Sequence, residues 1–148
     1  MNFTYMNYKK TRANAICPER MTDGAAGYDL RACIDEPIII QPNETKIIDT
    51  GIAIELQPGT FGAIYSRSGL AIKQGLYVQN GVGVIDEDYR NSIKVALHNN
   101  SNEPKEILPE MRIAQLVIQP YIVVNFQKKE ELNTTKRNLG GLGSTGQK

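Results

Sequence analysis

Between positions 28 and 126 the apolar residues fall into short β-branched runs instead of helical stripes. The runs are PIII at 37–40, TKIIDTGIAIEL at 45–56, FGAIYS at 61–66, SIKVAL at 92–97 and RIAQLVIQPYIVVNF at 112–126. Short segments rich in Ile and Val, alternating with polar residues, predict strands. They are separated by QPNE at 41–44, QPGT at 57–60 and HNNSNEP at 98–104, residues that preset φ or bond their own backbone in turns. One stretch departs from this pattern. SGLAIKQG at 68–75 spaces Leu70, Ala71 and Gln74 for one or two helical turns, with Gly75 as the stop. The whole reads as all-β, an antiparallel sandwich or jelly roll with one short helix.

After position 127 the pattern fades: 128–136 is a polar linker and 137–148, RNLGGLGSTGQK, is glycine-rich. The 148 residues, 41% of them hydrophobic, suffice for one domain with a core, placed at 1–127. Seventeen basic and 16 acidic residues, spread evenly, give a net charge of +1. That leaves no electrostatic footprint for a nucleic acid polymer or an anionic membrane, so any phosphate recognition is local. MNFTYMNYKKTR has no apolar signal-peptide core, and no run approaches a membrane span. A soluble, cytoplasmic protein is expected. Cys17 and Cys33 lack CxxC spacing and His98 is the sole histidine, which gives no footing for a metal cage, a disulfide framework or a Cys-His pair.

Several stretches hold candidate chemistry, each with a plainer alternative. In NGVGVIDEDYRN, 80–91, Gly81 and Gly83 bare the backbone on one face, where a flat ligand can hydrogen-bond. Asp86 beside them suits a group that orients and deprotonates a water; the alternative is a hairpin with a solvated acidic turn. SRSGLA, 66–71, gathers Arg67, Ser68 and Gly69 at a helix start, either a phosphate site or a surface Arg beside a capping Ser. Asp29, in AAGYDLRA, is either a buried carboxylate paired with Arg31 or Arg112, or a group near a hydrated cation. Gln115 in MRIAQLVIQ also fits an ordinary polar position on a half-buried strand, and Tyr89 an ordinary rim aromatic. The tail is either a disordered end or an anion-binding loop. No Gly-Lys-Ser/Thr follows a strand, so it is not a standard P-loop.

Taken in order, AGYDLRA, SRSGLA, NGVGVIDEDYRN, RIAQLV and RNLGGLGSTG resemble the five motifs of the homotrimeric dUTPases, spanning Ala26 to Gly146. The resemblance implies a jelly-roll subunit, a homotrimer with shared active sites, and Mg2+-dependent hydrolysis of dUTP to dUMP and pyrophosphate. That activity keeps uracil out of DNA and supplies dUMP for dTMP synthesis. It implies Asp86 as the residue orienting the attacking water. Asn80 and the backbone at Gly83 would read uracil, Tyr89 would lie against the deoxyribose, and Leu142 would close on the base. Arg67, Ser68, Gly69 and Gln115 would bind phosphate, joined by Arg137, Gly143, Ser144 and Thr145 from a tail that acts as a lid over a neighbouring subunit's site. Asp29 would sit near the metal, through water, while the triphosphate supplies the direct ligands.

Some positions depart from the family pattern. Ser66 stands where proline is common, Glu110 and Met111 replace Gly-Asp, and Asn138 and Leu142 replace a tail glycine and phenylalanine. A leucine cannot stack on uracil, and at about 0.5–1.5 kcal/mol for such a contact the expected grip is roughly two- to tenfold weaker. A dCTP deaminase relative would carry a glutamate where IKVALHN has Ala96. A rival of another class is a dUTP-binding regulatory module on the same fold.

Overall fold

The computed structural model describes residues 5–142 together with Ser144. Eleven strands and one helix follow one another: β1 (Asn7–Lys10), β2 (Tyr28–Arg31), β3 (Ile38–Ile40), β4 (Thr45–Asp49), β5 (Ile52–Glu55), β6 (Thr60–Tyr65), α1 (Ser68–Gln74), β7 (Leu76–Val78), β8 (Gly83–Ile85), β9 (Lys94–Asn99), β10 (Lys105–Ile107) and β11 (Arg112–Pro120). Every pairing between them is antiparallel. Two sheets dominate, β2-β11-β6-β8 and β4-β9-β7, with the two-stranded pairs β1-β5 and β10-β3 beside them. Leu30, Ile64, Ile113 and Leu116 of the first share one buried cluster with Ile48, Leu76, Val78, Val95 and Leu97 of the second. The all-β, jelly-roll architecture with one short helix is as the pattern predicts.

The helix ends as read, with Gly75 at φ 71° accepting the left-handed cap. The run 45–56, in contrast, is two strands, because the chain turns at Thr50 and Gly51. Gly51 has φ 67°, and its N–H donates to Asp49 Oδ1 at 2.8 Å. The last run also stops early: β11 closes at Pro120, paired with Thr60, and 121–126 is not strand. Strands β1, β7 and β10 are additions. β1 is exposed at all four positions and carries no apolar alternation to announce it.

Asn99 and Thr50 are buried and paired, whereas Arg31 Nε is buried without a hydrogen-bond partner among the described residues. Asn99, wholly buried, donates to the Ile40 and Glu103 carbonyls at 2.9 and 2.8 Å and accepts from the Ser101 N–H and hydroxyl. Thr50 donates to the Ile93 carbonyl at 2.8 Å. Burial pushes the Cys33 thiol up, so this core cysteine is a packing residue and not a nucleophile.

Gly51 meets the core most closely. A Cβ there would lie 2.7 Å from both Ala15 Cβ and Cys33 Sγ. Left-handed strain and overpacking together predict that Gly51→Ala destabilises the fold by about 2–5 kcal/mol. Urea unfolding should show a lowered midpoint at unchanged slope. Gly24→Ala, where a Cβ meets nothing within 4 Å, is the control and should leave the midpoint near wild type.

Candidate active site

Asp29, on β2, has a side chain only 11% exposed, and both its oxygens are taken. Oδ1 accepts from Arg67 Nε and Oδ2 from Arg112 Nη1, each at 3.1 Å. Of the partners left open by the sequence, Arg112 is found and Arg67 joins it. Arg31 instead bonds Glu19 at 2.8 Å and the Glu110 carbonyl at 3.1 Å. One carboxylate shared by two guanidiniums leaves a positive charge in excess, the sign that attracts an anion.

Around Asp29 lies a cavity of about 430 Å3 that brings together Arg67, Ser68, Gly69 and Gln115. Gln115 sits on β11 opposite Asp29 on one side and Tyr65 on the other, and its Nε2 donates to the Ser66 carbonyl at 2.9 Å. Gly27 makes room for it: a Cβ there would be 2.5 Å from Gln115 Oε1. Ser68 and Gly69 open α1, where the first N–H groups lack intrahelical acceptors. Tyr65 and Gly27 also line this wall, and the sequence reading passed over both. Register across the sheet, which a single sequence does not display, is what places them there.

Two of the departures from the family pattern find physical roles. The Ser66 hydroxyl accepts the Val78 N–H at 2.8 Å, tying β7 to the end of β6. Glu110 has φ 63°, a left-handed conformation that favours glycine, and its N–H donates to the Ala32 carbonyl while its own carbonyl accepts from Arg31.

A second group forms on the other edge of β6. β8 pairs there with Gly83 opposite Ile64, and a Cβ on Gly83 would press to 3.0 Å of Ile64 Cβ. Asn80 precedes it in a tight turn, Val82 N–H donating to the Asn80 carbonyl at 2.8 Å. After β8 the Tyr89 N–H closes a turn onto the Asp86 carbonyl at 3.1 Å, and the Tyr89 hydroxyl bonds the Ser92 carbonyl at 3.0 Å. Asp86 is exposed and borders a second cavity, of about 580 Å3, with Phe61, Val84 and Tyr121, apart from the cavity of Asp29. Asn80, Gly83, Asp86 and Tyr89 thus belong to one stretch of chain, the first two before and at the start of β8 and the last two after its end, while Asp29, Arg67, Ser68, Gly69 and Gln115 line one cavity.

The described residues of the tail join neither. Every residue at 120–139 is exposed, and Leu139 and Leu142 are fully so. Beyond Tyr121 the hydrogen bonds of this segment are local, Asn138 N–H to Thr135 Oγ1, Gly140 N–H to the Arg137 carbonyl and Ser144 N–H to the Gly141 carbonyl. Gly143 and Thr145 lie outside the described residues. Among the described residues no set of three Asp, Glu, His or Cys side chains is placed to cage a metal, and no helix is long and apolar enough to cross a membrane.

A dUTPase family model matches residues 13–146. The deoxyuridine 5'-triphosphate nucleotidohydrolase of Nautilia profundicola is 48% identical over 141 residues, 95% of this chain and 98% of that protein. Among solved structures, a mutant dUTPase of Staphylococcus bacteriophage 80alpha with dUpNHpp superposes with a TM-score of 0.84 at 26% identity, covering 97% of this chain and 99% of that one. A mutant dUTPase from phage phi11 of S. aureus, described with a structural Mg(II) ion, gives 0.77 at 25% identity, covering 86% and 98%. The chain belongs to the dUTPase family.

Proposed function

We propose that this protein hydrolyses dUTP to dUMP and pyrophosphate, with Asp86 orienting and deprotonating a water that attacks the α-phosphorus. The observation that carries this reading is the meeting of Arg67, Ser68, Gly69 and Gln115 around the Asp29 carboxylate in one cavity. A guanidinium, a hydroxyl, free helix-start N–H groups and an amide are donors that match phosphate oxygens. The names of close relatives and the nucleotide analogue held by the phage enzyme point the same way.

Water attack on a phosphate ester is opposed by negative charge and by imprecise placement, and this chain answers both. Water oxygen bonds to the α-phosphorus, its proton passes to Asp86, and the bond to the bridging oxygen of the β-phosphate breaks, releasing pyrophosphate. Tyr89 lies against the deoxyribose where a 2'-hydroxyl would clash. Asn80 and the bare backbone at Gly83 hydrogen-bond the uracil edge and leave little space for a 5-methyl group. A hydrated magnesium ion arriving with the triphosphate would take its direct ligands from the phosphates, and Asp29, whose oxygens are bonded to Arg67 and Arg112, would reach it only through water. Such an ion, when bound, neutralises phosphate charge and fixes the triphosphate conformation.

The two groups of residues are separate within one chain and the described residues of the tail pack on neither, which supports a site completed between subunits of a homotrimer. One subunit contributes Asp86 and Tyr89, a second the Asp29 cavity, and the third its tail. Residues 128–136 then act as a linker and 137–148 as a lid, with Arg137, Ser144, Thr145 and the amide of Gly143 closing on phosphate and Leu142 on the base.

Pyrophosphate release should be far faster from dUTP than from dTTP or UTP, and comparable turnover of either competitor would overturn the substrate assignment. Asp86→Asn should keep the fold and analogue binding while turnover falls roughly 10²–10⁴-fold, because an amide holds a water without accepting its proton.

Complementation tests the sharing. Asp86→Asn protein and a protein lacking 137–148, each inactive, should regain activity when unfolded and refolded together, since some mixed sites receive Asp86 from one chain and a lid from the other. Mixed trimers with no activity above their components would refute a lid delivered in trans.

A further inference from the structure

The turn that carries Asp86 is held at a point the chemistry above leaves unused. Glu87 Oε2 accepts the Gly59 N–H at 2.7 Å and the Tyr121 hydroxyl at 2.8 Å. The Gly59 carbonyl accepts the Tyr121 N–H at 3.0 Å. Both backbone groups of Gly59 are therefore engaged, and three segments distant in sequence close into one ring. They are the β5–β6 turn, the turn after β8, and the residue at which the chain leaves β11 for the tail. Arg90 braces the same turn, its Nη1 donating to the Glu87 carbonyl at 2.7 Å and the Tyr89 carbonyl at 3.2 Å. The Gly59 N–H and then the Tyr121 hydroxyl hold the Glu87 carboxyl below its ordinary range, and the same bond pushes the Tyr121 phenol up.

An acidic turn without such partners is free to sample several conformations, and a water-orienting carboxylate on it loses the placement that water attack demands. Among the described residues Tyr121 is also the last of the C-terminal segment that hydrogen-bonds the body of the subunit, and everything from there to position 139 is exposed. We propose that Glu87 and Tyr121 are positioning residues for catalysis: their clasp on Gly59 fixes the turn bearing Asp86 and Tyr89 and anchors the root of the tail beside it. This rests on the role proposed for Asp86. Glu87 itself touches no reacting atom; it acts through its neighbour.

The test is a double-mutant cycle in the full-length protein with Glu87→Ala, Tyr121→Phe and the pair. Each single change should lower kcat on dUTP about tenfold while KM moves less than about twofold, since the phosphate cavity is untouched. The pair should be no slower than the slower single variant, because both changes break one interaction. Glu87→Gln should restore most of the turnover, its carbonyl oxygen accepting from the same two donors. Amide hydrogen exchange at 86–90 should quicken about tenfold in the single variants, while core amides and Tm hold.

Turnover of Glu87→Ala within twofold of wild type, or effects that multiply in the pair, would overturn the clasp. So would a Glu87→Gln protein as slow as Glu87→Ala. Asp86→Asn assayed alongside keeps the two ideas apart: high turnover in that variant sinks the role of Asp86, whereas unchanged exchange at 86–90 in Glu87→Ala sinks the clasp alone.

Discussion

One carboxylate between two guanidiniums holds the cavity around Asp29 in shape. Asp29 joins β2 to Arg67, the residue just before α1, and to Arg112, the first residue of β11, so three segments of the sequence converge on two oxygen atoms. The strand pairing alone would not do this, because β11 carries a bulge between Arg112 and Ala114, beside the site. Without the carboxylate, Arg67 and Arg112 would stand as neighbouring like charges, and Arg67 would keep only its Nη1 bond to the Arg112 carbonyl at 3.2 Å. Solvent reaches the two arginines more than Asp29, with 27% and 35% of their side chains exposed. The pair therefore contributes less stability than a dry one would, and its main effect is geometric.

The legible part of this molecule was whatever depends on local periodicity or on residue types in order. Five strands, the helix with its glycine stop and the polar segment after position 127 follow from alternation and turn chemistry. The ordered motifs pointed to Arg67, Ser68, Gly69 and Gln115, and these do meet. Periodicity failed where tertiary neighbours decide. Residues 121–126 are as apolar and β-branched as any strand, yet β11 ends where its partner β6 begins, at the Pro120–Thr60 pair. The run at 45–56 reads as continuous because a single glycine in the left-handed region leaves no mark on hydropathy.

Contacts across sequence distance were the least visible. Asp29 sits 38 residues from Arg67 and 83 from Arg112, and nothing in the chain announced which arginine it would choose. Glu87 looked like a solvated acid in a DED turn. Its partners are a backbone N–H and a tyrosine 34 residues on, and a glutamate that accepts from a backbone group has no compositional signature.

Strand β6 separates the two groups of site residues and also joins them. It pairs with β11, which carries Gln115, along one edge and with β8, which leads to Asp86, along the other, and it runs directly into Arg67. Displacing β6 would therefore disturb both groups at once, whereas β8, a three-residue strand at the sheet edge, can loosen while the β6–β11 ladder holds. Residues 121–139, exposed throughout and paired in none of these ladders, stand outside that dependence.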